Sequence, residues 1–294
     1  MKVAVTGSNG LIGKILVQKL RGKKFEVAEC SRQNCDVLNP KQVEGALKGA
    51  KIVVHCAAQL EEEAHDIFDI NVKGTENLLE AAAKNNAEQF IFLSSVGVYG
   101  SAEGLKGEET LPEPKTNYEK SKLEAEKKVL SFQEVFHTTI LRPAIVLGKN
   151  RYWKKIVSTI RKGFPLPGSG KNKWQMVCAE DVAEAAIFCI GKEECFGETF
   201  IVAEKEESAM TLEELVNFVR KELGLKGGTG KIPLWIAKIM AFLNSFIKII
   251  PLLTPSYLAR MQRERAYSTK KLEALGWKAK RSGKECLKEL VKNF

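Results

Sequence analysis

With 294 residues, 44% apolar and 28% charged, and with 23 Gly and 9 Pro, the chain has the make-up of one large domain or of a core with a smaller lobe, and disordered, collagenous and small disulfide-scaffold proteins are excluded. The formal charge of +10 is uneven: residues 149 to 173 hold eight Lys or Arg and no acid, and residues 260 to 292 hold eleven basic and four acidic side chains. Such clusters suit nucleic acid, an acidic membrane surface or an anionic substrate, but no nucleic-acid module accompanies them, so nucleic acid is not an expected partner.

Met1 to Thr6 already reads as a strand, which leaves no room for a signal peptide. The alternation then runs strand Lys2 to Thr6, helix Leu11 to Leu20, strand Phe25 to Cys30, helix Pro40 to Leu47, strand Ile52 to Cys56 and helix Asp66 to Ala83. Strand Phe90 to Ser94, helix Tyr118 to Leu130 and strand Thr138 to Leu141 follow. Short β-branched runs between longer amphipathic ones predict an α/β fold with a doubly wound, Rossmann-type parallel sheet. The loop from Gly100 to Asn117 is long and polar, as in a segment that closes over a ligand. After Gly148 the pattern loosens into basic, Gly/Pro-punctuated helical pieces, predicting a smaller, mostly helical C-terminal lobe.

Strand one leads into Gly7, Gly10 and Gly13, spaced three apart, and then into a helix. Glycines here let the chain turn sharply and let a pyrophosphate approach the helix N-terminus. Residues 1–148 are therefore read as a dinucleotide-binding core and 149–294 mainly as a substrate lobe, with some segments returning to the core. Tyr118 and Lys122 form Y-x-x-x-K, which puts both on one helix face. A phenol with an unperturbed pKa of about 10 exchanges protons poorly near neutrality, and an adjacent ammonium stabilises its phenolate. Tyr267 and Lys271 share the spacing, so spacing alone does not choose between the pairs.

The glycine spacing differs by one residue from the G-x-G-x-x-G form and resembles that of the short-chain dehydrogenase/reductase family; length and the later lobe resemble its extended class, the NAD-dependent epimerase/dehydratase superfamily. The resemblance covers nearly the whole chain. It implies that Gly7, Asn9, Gly10, Leu11, Ile12 and Gly13 hold the cofactor. Asp36 and Val37 would sit beside the adenine, Cys56, Ala57 and Ala58 beside the nicotinamide ribose, and the Arg142-Pro143 backbone beside the carboxamide, with Pro143 in contact. His55 reads as structural. Ser31 stands where NAD-using members have an acid for the ribose hydroxyls; Ser31 with Arg32 suits a 2′-phosphate, which favours NADP over NAD, while Glu29 could supply the acid if the strand ended sooner.

The same resemblance selects Tyr118 over Tyr267, because Tyr118 follows the Ser94 to Gly100 segment. It makes Ser95 the hydroxyl that orients the substrate oxygen, with Ser94 as the near alternative, Tyr118 the proton carrier, Lys122 its partner and Asn71 the support of a proton relay. Tyr118 and Lys122 then serve both catalysis and cofactor. The expected activity is an NAD(P)-dependent oxidoreductase acting at a ketone or alcohol carbon; the alternatives are a nucleotide-sugar epimerase and a non-catalytic cofactor-binding subunit.

Val96 and Gly97 stand where sugar dehydratases carry an Asp-Glu pair, and Trp174 where sugar-nucleotide members carry a diphosphate-gripping arginine, with Lys171 and Lys173 as point-charge substitutes. Pro233 to Ala237 and the Tyr267 to Trp277 ending look similar to the dihydroflavonol reductase and 3β-hydroxysteroid dehydrogenase branch, which handles apolar ketones. The expected partner is a small carbonyl compound, with a homodimer left open.

Ile232 to Leu253 is the most apolar stretch. Lys238, Ala241, Ser245 and Lys248 would form a polar stripe on a helix that covers a pocket, a reading preferred to a membrane-surface helix. Seven cysteines, an odd number without a C-x-x-C pair, fit a reducing, cytoplasmic setting, and three histidines outside any H-E-x-x-H arrangement leave no metal site to be expected.

Overall fold

Strand Lys2–Thr6 (β1) shows how the sequence is read into layers: Val3 and Val5 pack on one face and Ala4 on the other. In the computed structural model, which describes residues 1–247 and 253–294, β1 lies between Glu26–Cys30 (β2) and Ile52–His55 (β3). Gln89–Leu93 (β4), His137–Pro143 (β5) and Glu198–Val202 (β6) continue outward from β3. Every pairing in this six-stranded sheet is parallel, in the order β2-β1-β3-β4-β5-β6. The order reverses at β1, and such a switch opens a crevice at the carboxyl ends of β1 and β3.

Helices α1 (Leu11–Gly22), α2 (Pro40–Ala46), α3 (Gly74–Lys84) and α4 (Asn117–Leu130) alternate with these strands. They are followed by α5 (Arg151–Arg161), α6 (Ala179–Phe188), α7 (Leu212–Glu222), α8 (Leu234–Ile247), α9 (Pro255–Met261), α10 (Lys270–Ala274) and α11 (Gly283–Lys292). Leu16 and Leu20 of α1 and Val182 of α6 cover the Val3/Val5 face, while Val43 of α2, Leu78 of α3 and Val129 of α4 cover the Ala4 face. Burying each such side chain is worth roughly 1.5–3 kcal/mol. A separate core formed by Trp153, Leu215 and Leu287 holds α5, α7 and α11 together in the lobe.

The expected helix Asp66 to Ala83 is broken differently. Asp69–Lys73 forms a π turn that runs into α3. The Thr75 hydroxyl donates to the Asn71 carbonyl at 2.6 Å, and Gly74 admits Val37, whose Cγ2 would lie 2.6 Å from an added Cβ. The loop after β4 is anchored to the body rather than hanging over the crevice. Leu105–Lys106 pairs in parallel with Ala266–Tyr267, and the Lys106 ammonium donates to the carbonyls of Gly104 and Glu264 at 2.8 and 3.0 Å.

Two further expectations are corrected. Helix α8 does not turn its apolar residues onto a pocket: it packs through Ala237, Ala241 and Asn244, and its Trp235, Ile239, Phe242, Leu243 and Phe246 are exposed. The expected stripe of Lys238, Ala241, Ser245 and Lys248 is split, because Ala241 is buried in the seam while Lys238 and Ser245 lie in solvent, and Lys248 is outside the described residues. Cys178 and Cys286 form a disulfide across a sequence separation of 108, with Cα atoms 6.1 Å apart, against the expectation drawn from cysteine spacing. Only the packing of α11 on the strand Met176–Cys178 brings them together. Among the described residues no helix is long and apolar enough to cross a membrane.

Candidate active site

The turn after β1 is shaped by what glycine lacks. Gly7 has φ +65°, and a Cβ there would meet the Ala57 nitrogen at 2.8 Å; a Cβ at Gly13 would overlap the Gly7 carbonyl. Gly10 caps α1 without a side-chain bond, and the first turn carries no acid. The amides of Leu11, Ile12 and Gly13 are thus left with the positive end of the helix dipole, a donor set that fits the pyrophosphate of a dinucleotide. Asn9 is exposed at the lip of this turn.

At the end of β2, Ser31 turns inward: its amide and hydroxyl both donate to Asn34 Oδ1, at 2.7 and 3.1 Å. Arg32 projects into solvent, and Glu29 is ion-paired with Arg21 at 2.6 Å. β2 runs through Cys30, so Glu29 does not stand at the strand end. Asp36 accepts from the Leu38 amide at 3.0 Å and keeps its carboxylate exposed. Val37 is buried against Gly74, and its carbonyl accepts from Asn77 at 2.8 Å.

His55, Cys56, Ala57 and Ala58 close β3 beside the glycine turn. Both ring nitrogens of His55 are engaged, Nδ1 with Thr6 Oγ1 at 2.7 Å and Nε2 with Thr75 Oγ1 at 3.0 Å. Burial, helped by the Lys122 charge, pushes its pKa down to about 3, and a neutral, fully bonded ring is a strut. Burial pushes the Cys56 thiol up to about 12, so it stays protonated near neutrality.

Helix α4 begins in a capping box formed by Thr116 and Glu119, and Glu62 accepts from the amides of Asn117 and Tyr118 at 2.5 and 3.3 Å. Tyr118, half-buried, has its phenol close enough to Ser95 to feel that hydroxyl. Burial pushes its phenol up to about 12, while Ser95 and the charge of Arg260 pull in the opposite direction. Ser95 Oγ accepts from the Gly97 amide at 2.9 Å. Ser94, the alternative hydroxyl, is buried without a hydrogen-bond partner among the described residues.

The Lys122 ammonium donates to the Leu93 carbonyl at 2.7 Å and sits 4.0 Å from the centre of the Phe92 ring, where burial lowers its pKa to about 7 against the opposing pull of Glu126. Asn71, buried on the π turn, donates to Ser121 Oγ at 2.9 Å and exchanges hydrogen bonds with the Gln59 backbone. Ser121 in turn donates to the Tyr118 carbonyl at 2.9 Å, which fixes the first turn of α4.

Arg142 faces inward from β5, bound to both oxygens of Glu126 and to the Tyr99 hydroxyl at 2.8 Å, with Pro143 ending the strand. Val96 is buried, and a Cβ on Gly97 would press on Ser95 Oγ and Glu119 Cγ at 3.1 and 3.2 Å, so this turn has little room for an acidic pair. The competing Tyr267 and Lys271 are separated by secondary structure: Tyr267 is buried in a strand, and Lys271, on α10, pairs with Glu198 at 2.6 Å.

Beside this constellation the lobe offers a small hollow lined by Tyr152, Trp174, Tyr257, Arg260 and Arg265. Trp174 is buried, and the Arg265 guanidinium stacks on it with Cζ 4.7 Å from the ring centre. Arg260, Arg265, Glu126 and Ser121 were not singled out from the sequence. The basic run after Arg260 signals the arginines, but only the fold brings it over Trp174. Among the described residues, no group of three His, Cys, Asp or Glu side chains is placed to hold a metal ion.

The model of the NAD dependent epimerase/dehydratase family matches residues 3–203. UDP-glucose 4-epimerase of Vibrio cholerae is 25% identical, with 99% of this chain and 95% of that protein covered. Among solved structures, UDP-glucose 4-epimerase of Thermotoga maritima with UDP-glucose superposes with a TM-score of 0.80 at 21% identity, covering 99% of this chain and 98% of that one. The dTDP-glucose 4,6-dehydratase of Streptomyces venezuelae with NAD and TYD bound also gives 0.80, at 20% identity over 99% of this chain and 96% of that one.

Proposed function

Because the chain belongs to the NAD dependent epimerase/dehydratase family, we propose that it is an NAD(P)-dependent enzyme that oxidises or reduces a carbon bearing a hydroxyl or ketone, with Ser95, Tyr118 and Lys122 as its working side chains. The observation that carries this reading is the approach of Tyr118 to Ser95 at the carboxyl edge of the sheet, with Lys122 buried behind it. Ser95 would orient the substrate oxygen, and Tyr118 would give that oxygen a proton or take one from it. The buried cation at Lys122 would hold the ribose and make a proton easier to pass on. A nicotinamide in the crevice would supply the hydride acceptor or donor.

The cofactor we propose is NADP in preference to NAD. Ser31 cannot accept both ribose hydroxyls, Glu29 is neutralised by Arg21, and Arg32 is free in solvent to meet a 2′-phosphate. Absorbance of the reduced nicotinamide during incubation with a panel of ketones and alcohols tests the reaction. Turnover that survives in Tyr118→Phe would overturn the assignment.

A second reading, epimerisation of a nucleotide sugar, is favoured by one specific arrangement. Arg265 over Trp174, with Arg260 and Tyr257 beside them, supplies cations and ring faces suited to a diphosphate and a base. The apolar residues of α8, which would have favoured a hydrophobic ketone, do not line that hollow. Interconversion of UDP-glucose and UDP-galactose without net change in nicotinamide absorbance would select this reading; its absence, with ketone-driven absorbance change, selects the first.

A further inference from the structure

Helix α8 presents two opposite faces. Ala237, Ala241 and Asn244 form the buried seam, with Ala237 and Ala241 packed beside Leu258 of α9. Across the helix, Trp235, Ile239, Phe242 and Phe246 recur at spacings of 4, 3 and 4 and, with Leu243, are 53–73% exposed. Phe242 and Phe246 meet edge to face at 5.3 Å, so the stripe is continuous. A continuous aromatic stripe is not ordinary water-facing surface and marks a contact site.

The surroundings indicate what kind of contact. Residues 223 to 263 contain no Asp or Glu, and neither do residues 149 to 173. The fold joins these two acid-free stretches: Leu166–Pro167 pairs with Lys231–Ile232, and the Leu166 and Gly168 amides donate to the Gly230 and Ile232 carbonyls at 2.7 and 2.9 Å. Exposed Lys162 and Phe164 lie just before this pairing, and exposed Lys238 lies on the flank of α8. Cations around an aromatic stripe complement a partner that is anionic at its surface and apolar beneath. A second copy of this face would set like charge against like charge. The 14 described residues of α8 are long enough to lie in a membrane interface, and among the described residues no helix is long and apolar enough to cross a bilayer.

We propose that α8 docks the protein on an anionic lipid surface, with the Trp235–Phe246 stripe sunk to the acyl boundary and Lys162 and Lys238 at the headgroups. The inference stands apart from the reaction proposed above. Co-sedimentation of the full chain with phosphatidylcholine vesicles, with and without about a third of phosphatidylglycerol, tests it. Binding is expected to the anionic vesicles, to weaken with salt, to disappear in Phe242→Glu/Phe246→Glu and to fall roughly tenfold or more in Lys162→Glu/Lys238→Glu. Both pairs are exposed, so melting temperatures should match the parent. Failure to bind anionic vesicles, equal binding to neutral ones, or full binding by the phenylalanine variant would overturn the proposal. So would a dimer seen by sedimentation equilibrium that the same variant dissolves.

Discussion

Arg142 holds Glu126 through two nitrogens, Nε at 2.9 Å and Nη2 at 2.7 Å, and so ties β5 to α4, the helix that carries Tyr118 and Lys122. Both partners are buried, and a lone buried charge is costly. Glu126→Ala should therefore destabilise the protein by about 3–5 kcal/mol, read as a lower urea midpoint at unchanged slope. An unchanged midpoint would show that the pair does not brace α4.

Lys122 carries the clearest pH dependence. Its folded pKa is lowered to about 7 from 10.5, so the unfolded chain binds the extra proton between those values. Stability should rise as pH climbs from about 7 toward 10.5, by an amount on the order of a few kcal/mol. Lys122→Met removes that group and should be more stable than the parent at pH 7, with the gap closing as pH rises. Urea melts of the two proteins at several pH values decide it, and parallel curves would contradict the burial of a titrating amine.

The two tyrosines of the repeated spacing make an internal control. Tyr118→Phe should lower turnover by roughly 10²–10⁴-fold while cofactor still binds. Tyr267→Phe, in a buried strand, should keep its turnover. Similar losses at both positions would argue against Tyr118 as the proton carrier.

Cofactor preference is tested at the end of β2. NADPH is expected to bind more tightly than NADH, and Arg32→Ala should erase most of that difference without weakening NADH. Fluorescence titration of both cofactors measures it; an unchanged ratio in the variant would move the 2′-phosphate contact elsewhere.

The Cys178–Cys286 bond closes a loop of more than a hundred residues. Cys286→Ala should cost about 2–5 kcal/mol, seen as a lower melting temperature that reducing agent no longer changes.

The four inner strands were legible because they are buried and read as apolar runs, whereas the edge strand Glu198–Val202 was not singled out; the glycine turn was legible because only glycine tolerates the approach of Ala57. Tyr118 and Lys122 were legible as a pair through helical spacing, yet the anchor of the lysine was not: the Lys122 ammonium points to the Leu93 carbonyl, and its reach is set by how α4 lies on β4. Arg265 and Trp174 are distant in sequence and meet only because Arg265 bridges back to Trp174 beside the paired Leu105–Lys106 and Ala266–Tyr267 segments. The outward face of α8 had the composition of a core, and periodicity alone cannot say which side of an apolar helix is covered.

The pairing of Leu105–Lys106 with Ala266–Tyr267 also orders events in time. Arg263 clamps Glu119 at 2.7 Å, and the Glu264 carbonyl receives Lys106, so the turn that begins α4 is braced from a segment made well over a hundred residues later. A nascent chain would have its glycine turn long before it had a braced Tyr118. The bracing of this turn is thus deferred until Arg263 has been made, and a message cut short before Arg263 would yield a polypeptide with the strands and helices around the glycine turn and an unbraced Tyr118.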